Sequence, residues 1–79
     1  MKVTYFVSSG TKDPTAASIP IHLAVNGSAE IGDDVSIVLG GDAAELLLGD
    51  TAQTLEGVGV PPLRELLAKV KDHSIPVYV

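Results

Sequence analysis

Apolar and polar residues alternate along the chain in patterns that predict three strands. Residues 2–8, Lys-Val-Thr-Tyr-Phe-Val-Ser, are rich in β-branched and aromatic side chains and predict the first. Both of its alternating sets are partly apolar, which is typical of a strand covered on both faces, as in a parallel sheet. Residues 35–39, Val-Ser-Ile-Val-Leu, predict a second strand, and residues 75–79, Ile-Pro-Val-Tyr-Val, predict a third.

The segment between the first two strands predicts a helix from Thr15 to about Ile31. Asp13 is a candidate N-cap, and Pro14 suits the first helical position. Pro20 removes one backbone hydrogen bond, so we expect it either to kink this helix or to push the regular part downstream.

Two more helices are predicted between the second and third strands. Asp42 and Glu45 have the spacing of a capping box for a helix over 43–48, which Gly49 would end. Residues 50–60 are expected to form a loop. After Pro61 and Pro62, apolar residues recur at helical spacing, with Glu65 and Lys69 placed to pair at i,i+4; the apolar positions are Leu63, Leu66, Leu67 and Val70.

Strands that alternate with helices predict parallel βαβ units with right-handed crossovers. We therefore expect a single α/β domain over residues 1–79, with a three-layer α/β/α architecture and a small, mostly parallel, flavodoxin-like sheet. The chain stops inside an apolar strand. This predicts either truncation on the C-terminal side or burial of that end in an oligomer.

The amino-acid composition excludes several classes of protein. The chain has 79 residues, of which 46% are hydrophobic and 19% charged, so disorder is excluded, and no apolar run is long enough for a membrane span. The net charge of −5 with few, dispersed bases argues against nucleic-acid binding. The first residues contain no signal peptide, so a cytoplasmic location is expected. Such an apolar short chain is also expected to cover its surface by forming a homo-oligomer.

Ligands of open parallel sheets collect at the carboxyl ends of the strands, and two loops of this chain end there. Small and hydroxyl-bearing residues beside a helix N-terminus could hold an anion, whereas the alternative is an ordinary turn followed by a helix cap. The candidate ligand-binding residues are Ser8, Ser9, Gly10, Thr11, Gly40, Gly41 and Asp42.

The remaining polar candidates predict no chemistry. Asp33 and Asp34 are expected in a solvated turn at the opposite, amino-terminal side of the second strand. His22 is expected to be a packed or surface residue, and His73 to lie at a helix C-terminus. No residue is assigned a catalytic role, no metal site or cofactor is predicted, and with zero cysteines no thiol chemistry is available within these residues.

The whole chain resembles the DsrE/DsrF-like family of sulfur-relay proteins. The resemblance rests on Ser-Ser-Gly at 8–10 with Asp-Pro at 13–14, on Val-Leu-Gly-Gly-Asp at 38–42, and on residues 55–67, Leu-Glu-Gly-Val-Gly-Val-Pro-Pro-Leu-Arg-Glu-Leu-Leu, which lead to the last strand. It implies a three-layer α/β fold and homo-oligomers, often trimers or hexamers. In catalytic members it also implies a persulfide-carrying cysteine, which in many relatives directly follows the strand matching 75–79.

The sequence ends one position before that cysteine, so no functional residue carries over from the family. We therefore expect a DsrE/DsrF-like protein of intracellular sulfur relay, with possible relay partner proteins, that has no catalytic cysteine in this chain. A full-length parent could be sulfurtransferase-like, but without a cysteine these residues as they stand are not expected to transfer a persulfide. The alternatives are a small module that binds an anionic or nucleotide-like ligand, and a purely structural homo-oligomer.

Overall fold

The computed structural model describes all 79 residues as a three-stranded parallel sheet with helices between the strands. The strands are β1 (Lys2–Val7), β2 (Asp34–Leu39) and β3 (Val77–Tyr78), and their spatial order is the same as their order in the chain. The parallel α/β class and the three predicted strands are thus confirmed. Lys2 is in register with Asp34, and Val38 with Tyr78.

The first connection is helical from Pro14 to Ser28. It consists of α1 (Pro14–Leu23) followed without a break by a π-helical segment, Ala24–Ser28. Asp13 caps α1 as predicted, because its Oδ1 accepts a hydrogen bond from the Ala16 N–H at 3.0 Å. The α-helical part contains Pro20 instead of starting beyond it, and the wider π turn lies downstream. Of the two outcomes expected for Pro20, the downstream shift of the regular helix is therefore wrong.

The second connection contains three short helical pieces. A 3-10 helix, Gly41–Leu47, is followed by α2 (Thr51–Thr54) and α3 (Leu63–Asp72). The prediction for α3 is confirmed, since Leu63, Leu66 and Val70 are buried. The prediction that residues 50–60 form a loop is only partly correct, because α2 lies within them. Their second half packs on the start of α1, where the Val58 N–H donates to Thr15 Oγ1 at 2.9 Å.

The core lies on one face of the sheet. Val7, Val35, Ile37 and Leu39 point into it and meet buried residues of both helical connections. Right-handed crossovers that always step in the same direction place every connection on the same side of a sheet. Residues 1–79 therefore cover one face, and the second helical layer of a three-layer sandwich is not supplied by them. Neither ten-residue helix is long and apolar enough to cross a membrane.

Candidate functional site

The carboxyl edge of the sheet brings together the two loops that the sequence singled out. Residues 8–11 follow β1 and residues 40–42 follow β2. Val7 and Leu39 are register partners, and the Gly40 N–H donates to the Val7 carbonyl at 2.9 Å. All seven predicted binding residues therefore lie at one edge of the molecule.

A carboxylate of the protein itself lies against the first of these loops. Glu45 extends from the 3-10 helix so that one oxygen, Oε1, accepts hydrogen bonds from the Thr11 N–H at 2.6 Å and from Thr11 Oγ1 at 2.7 Å. These two donors are among those that would bind an external anion. The loop thus recognises a carboxylate, and that carboxylate is Glu45.

Glu45 is the residue of this edge whose contact the sequence did not predict. The spacing from Asp42 predicted a capping box, and that prediction is wrong: the 3-10 helix begins at Gly41, its N-cap residue is Gly40, and no side chain caps it. Asp42 is exposed within the first turn. Glu45 binds Thr11, 34 positions away in the chain, instead of capping its own helix. The local sequence around Glu45 carries no signal for such a long-range contact.

The hydrogen bonds from Thr11 hold the pKa of Glu45 below its usual value. The backbone N–H contributes most and the Thr11 hydroxyl next, while the nearby Lys12 charge adds to the lowering and partial burial opposes it. Glu45 is therefore charged at neutral pH, and it binds the Thr11 donors as an anion.

The glycines of this edge have packing roles. Gly10 is buried, and a Cβ on it would come within 3.0 Å of both the Glu45 carboxylate and the Asp42 carbonyl oxygen. A Cβ on Gly40 would overlap the ring of Phe6. Gly41 has a φ of +57°, which side chains other than glycine rarely adopt. The polar groups left facing solvent are Ser8, Ser9 and Asp42, of which Ser9 is half-buried.

We expect the Glu45–Thr11 contact to make stability depend on pH. Because the folded-state pKa of Glu45 is lowered, its stabilising contribution is complete above the usual value of 4.5 and disappears as the pH falls through the lowered pKa. Urea unfolding of wild type and Glu45→Gln should therefore differ most at neutral pH and converge in acid. Glu65→Gln is the matched control and should keep the pH dependence of wild type. An equal pH dependence in Glu45→Gln and wild type would contradict the proposed origin of this dependence in the Glu45–Thr11 contact.

The amino edge of the sheet holds the other predicted polar residues. Asp33 is mostly buried, with 18% of its side chain exposed, and pairs with the N-terminal ammonium at 3.4 Å, so the prediction of a freely solvated turn is wrong for this residue. His73 caps α3, and its Nε2 lies 3.7 Å from Glu30 Oε1. Nowhere in the chain do three His, Cys, Asp or Glu side chains gather in a way that would hold a metal ion.

The fold and this edge define a small parallel α/β protein with its polar loops at the carboxyl ends of the strands. The chain belongs to the DsrE/DsrF-like family, whose model matches residues 1–79, the whole chain. The family resemblance inferred from the sequence is thereby confirmed, and it connects the chain with sulfur relay at the level of the family. No curated protein and no solved structure gives a significant match.

Proposed function

We propose that this chain takes part in intracellular sulfur relay as a cysteine-free subunit that assembles with further copies of itself. The observation that carries the proposal is an open, partly apolar face of the sheet. Phe6 is 62% exposed and Tyr78 58% exposed on that face, with Val38 between them. Apolar side chains exposed side by side on three strands are typical of a protein–protein contact.

The absence of cysteine from residues 1–79 defines what this subunit contributes. Persulfide transfer needs a thiolate as the sulfur nucleophile, and neither serine nor histidine replaces it. In this proposal the persulfide is therefore carried by a thiol outside these residues, and partner proteins of the relay are its source. A covalent sulfur adduct on this chain after incubation with a persulfide donor, detected by intact mass, would contradict the proposal.

The open face has a graded composition along the strands. At the amino end Lys2 and Asp34 are register partners, and in the middle Thr4 Oγ1 and Ser36 Oγ are hydrogen bonded at 2.9 Å. At the carboxyl end Phe6 is level with Val38. The charges, the hydroxyls and the apolar side chains thus form three successive rows across the sheet.

This gradient is complementary to a second copy of itself. Two copies can stack with their open faces together about a two-fold axis that lies between the sheets, parallel to the strands and midway between β1 and β2. β1 of one copy then lies over β2 of the other, so Phe6 faces the partner's Val38 and Lys2 faces the partner's Asp34. Apolar rows then meet apolar rows, and opposite charges meet at the far end. An isologous contact of this kind supports a dimer, which is a building block of the larger oligomers that the family resemblance implies.

We expect the wild-type chain to sediment as an oligomer and Phe6→Lys to shift it towards the monomer, because a charge replaces an aromatic side chain of the apolar row. Val58→Lys is the matched control, since Val58 is 85% exposed and lies in the segment that packs on the start of α1. Tyr78→Lys tests the same row from another strand. A wild-type chain that is monomeric at every concentration in sedimentation velocity would refute the proposal.

A second candidate function is the binding of a small anionic or nucleotide-like ligand at the carboxyl edge. The favouring observation is that the Thr11 N–H and hydroxyl already bind a carboxylate there. A ligand would have to displace Glu45, so phosphate or AMP should raise the melting temperature of Glu45→Gln more than that of wild type. No stabilisation of either protein would argue against this function.

A further inference from the structure

A pocket of about 230 Å³ lies on the helical side of the molecule, away from both the open sheet face and the carboxyl edge. It is formed by the end of α1, the π-helical segment and α3. Its walls carry four polar side chains and two apolar ones, namely His22, Asn26, Glu65, Lys69, Pro61 and Leu66. Neither assembly through the open sheet face nor ligand binding at the carboxyl edge uses these residues.

A chain of hydrogen bonds fixes the orientation of two of these side chains. The Lys69 ammonium donates to Asn26 Oδ1, and an ammonium can only donate. The amide of Asn26 is therefore oriented with its Nδ2 towards His22, where it donates to Nδ1 at 2.9 Å. Since Nδ1 accepts, the ring proton of the neutral His22 is on Nε2, and this N–H is the ring donor left for a ligand.

The two charges of the pocket are not paired with each other. The sequence pattern predicted an ion pair between Glu65 and Lys69, but this prediction is wrong: the structure contains three ion pairs, and neither residue takes part in one. Lys69 turns instead to Asn26 across the helix interface. The pocket therefore presents a carboxylate and an ammonium from residues four positions apart, whose backbone positions are separated by about 6 Å along the axis of α3.

We propose that this pocket binds a small zwitterion of the amino-acid type. The carboxylate of the ligand would accept hydrogen bonds from Lys69 and from His22 Nε2–H, and its ammonium group would face Glu65. The half-buried Pro61 provides the apolar surface for the carbon chain, since Leu66 is fully buried. A simple anion is repelled by Glu65 and a simple cation by Lys69, whereas a zwitterion satisfies both charges.

The test is an NMR titration of the intact chain with glycine, β-alanine and 4-aminobutyrate, whose charges are increasingly far apart, and with acetate and methylammonium as single-charge controls. At least one zwitterion should cause saturable shifts at residues 22–26 and 65–69 and bind more tightly than either control. Glu65→Gln and Lys69→Gln should each weaken it about ten-fold, the usual effect of losing one charge-assisted contact. Lys71→Gln, on the exposed side of α3, should leave the affinity unchanged.

A second readout concerns His22 itself. Its ¹⁵N spectrum at neutral pH should show an unprotonated Nδ1 and a protonated Nε2, and Asn26→Ala should abolish this preference. Acetate that binds as well as the zwitterions, or no saturable shift with any of them, would overturn the proposal. Since the pocket lies on the helical side and Phe6 on the open sheet face, Phe6→Lys is expected to leave the titration unchanged, so failure of the oligomer and failure of this site are distinguishable.

Discussion

Replacing Gly10 by alanine is expected to destabilise the fold by about 3 kcal/mol, at the upper end for overpacking a dense site. The added methyl group would overlap the Glu45 carboxylate and the Asp42 carbonyl oxygen. The side chain of Glu45 can move, but only by giving up its bonds to Thr11, and the backbone at Asp42 moves only with the 3-10 helix. Urea unfolding followed by circular dichroism measures the loss.

Gly27→Ala is the matched control for this substitution. Gly27 lies in the π-helical segment with nothing within 4 Å of its Cβ position and without a positive φ. Alanine there should be neutral or stabilising by up to about 1 kcal/mol, because it restricts the unfolded chain. Equal effects of the two alanines would show that Gly10 is not packed as described.

Ile37→Ala should cost about 2–5 kcal/mol of unfolding free energy, the range for removing a fully buried aliphatic side chain. Ile37 is 1% exposed at the centre of β2, the middle strand, and belongs to the single core cluster. A domain of 79 residues has a total stability of roughly 4–12 kcal/mol. The variant should therefore be partly unfolded at 37 °C, which a thermal melt detects.

Ile31→Ala provides the same chemical change on the surface. Ile31 is 78% exposed in the turn before β2, so its truncation should change the stability by less than about 0.5 kcal/mol. A large loss in this variant, or a small one in Ile37→Ala, would place the core elsewhere.

The elements that could be predicted from the sequence are those in which local and long-range preferences agree. The apolar spacing of α3 matches the face that the fold buries, and Asp13 with Pro14 starts α1 as a cap followed by a helix-compatible proline. Parallel pairing followed from the alternation of strands with helices. Because parallel strands end at the same edge of a sheet, the sequence also predicts that the candidate loops lie together there, without any specific motif.

The elements that could not be predicted depend on contacts between distant parts of the chain. Glu45 has the spacing of a capping residue, yet the charge-assisted bonds to Thr11 fix it elsewhere. Lys69 has a carboxylate one turn away but binds Asn26 of the π-helical segment. In both cases a weak exposed interaction within one helix is replaced by a contact that the packing of two elements brings within reach.

Local sequence patterns also do not predict that one face of the sheet is open. Both alternating sets of β1 contain apolar residues, and this pattern predicts cover on two sides. In the structure Tyr5 lies inward, with its hydroxyl 2.6 Å from Ser28 Oγ, whereas Phe6 lies outward. Local patterning shows that both faces are apolar, but what covers the second face depends on contacts outside these residues.

Within residues 1–79, β3 contributes fewer paired residues to the sheet than β1 or β2 does. Only two residues pair with β2, and the buried anchor of this segment is Ile75, whose N–H donates to the Val70 carbonyl at 3.0 Å. Beyond Ile75, this segment is held by the Ile37 N–H, which donates to the Pro76 carbonyl at 3.0 Å, and by Val77, which packs against the core. Tyr78 lies on the open face, so a molecule that contacts it there favours the conformation in which β3 is paired with β2. In the proposed assembly, a contact with Tyr78 would link the pairing of this strand thermodynamically to the binding of the second copy, and each would raise the population of the other.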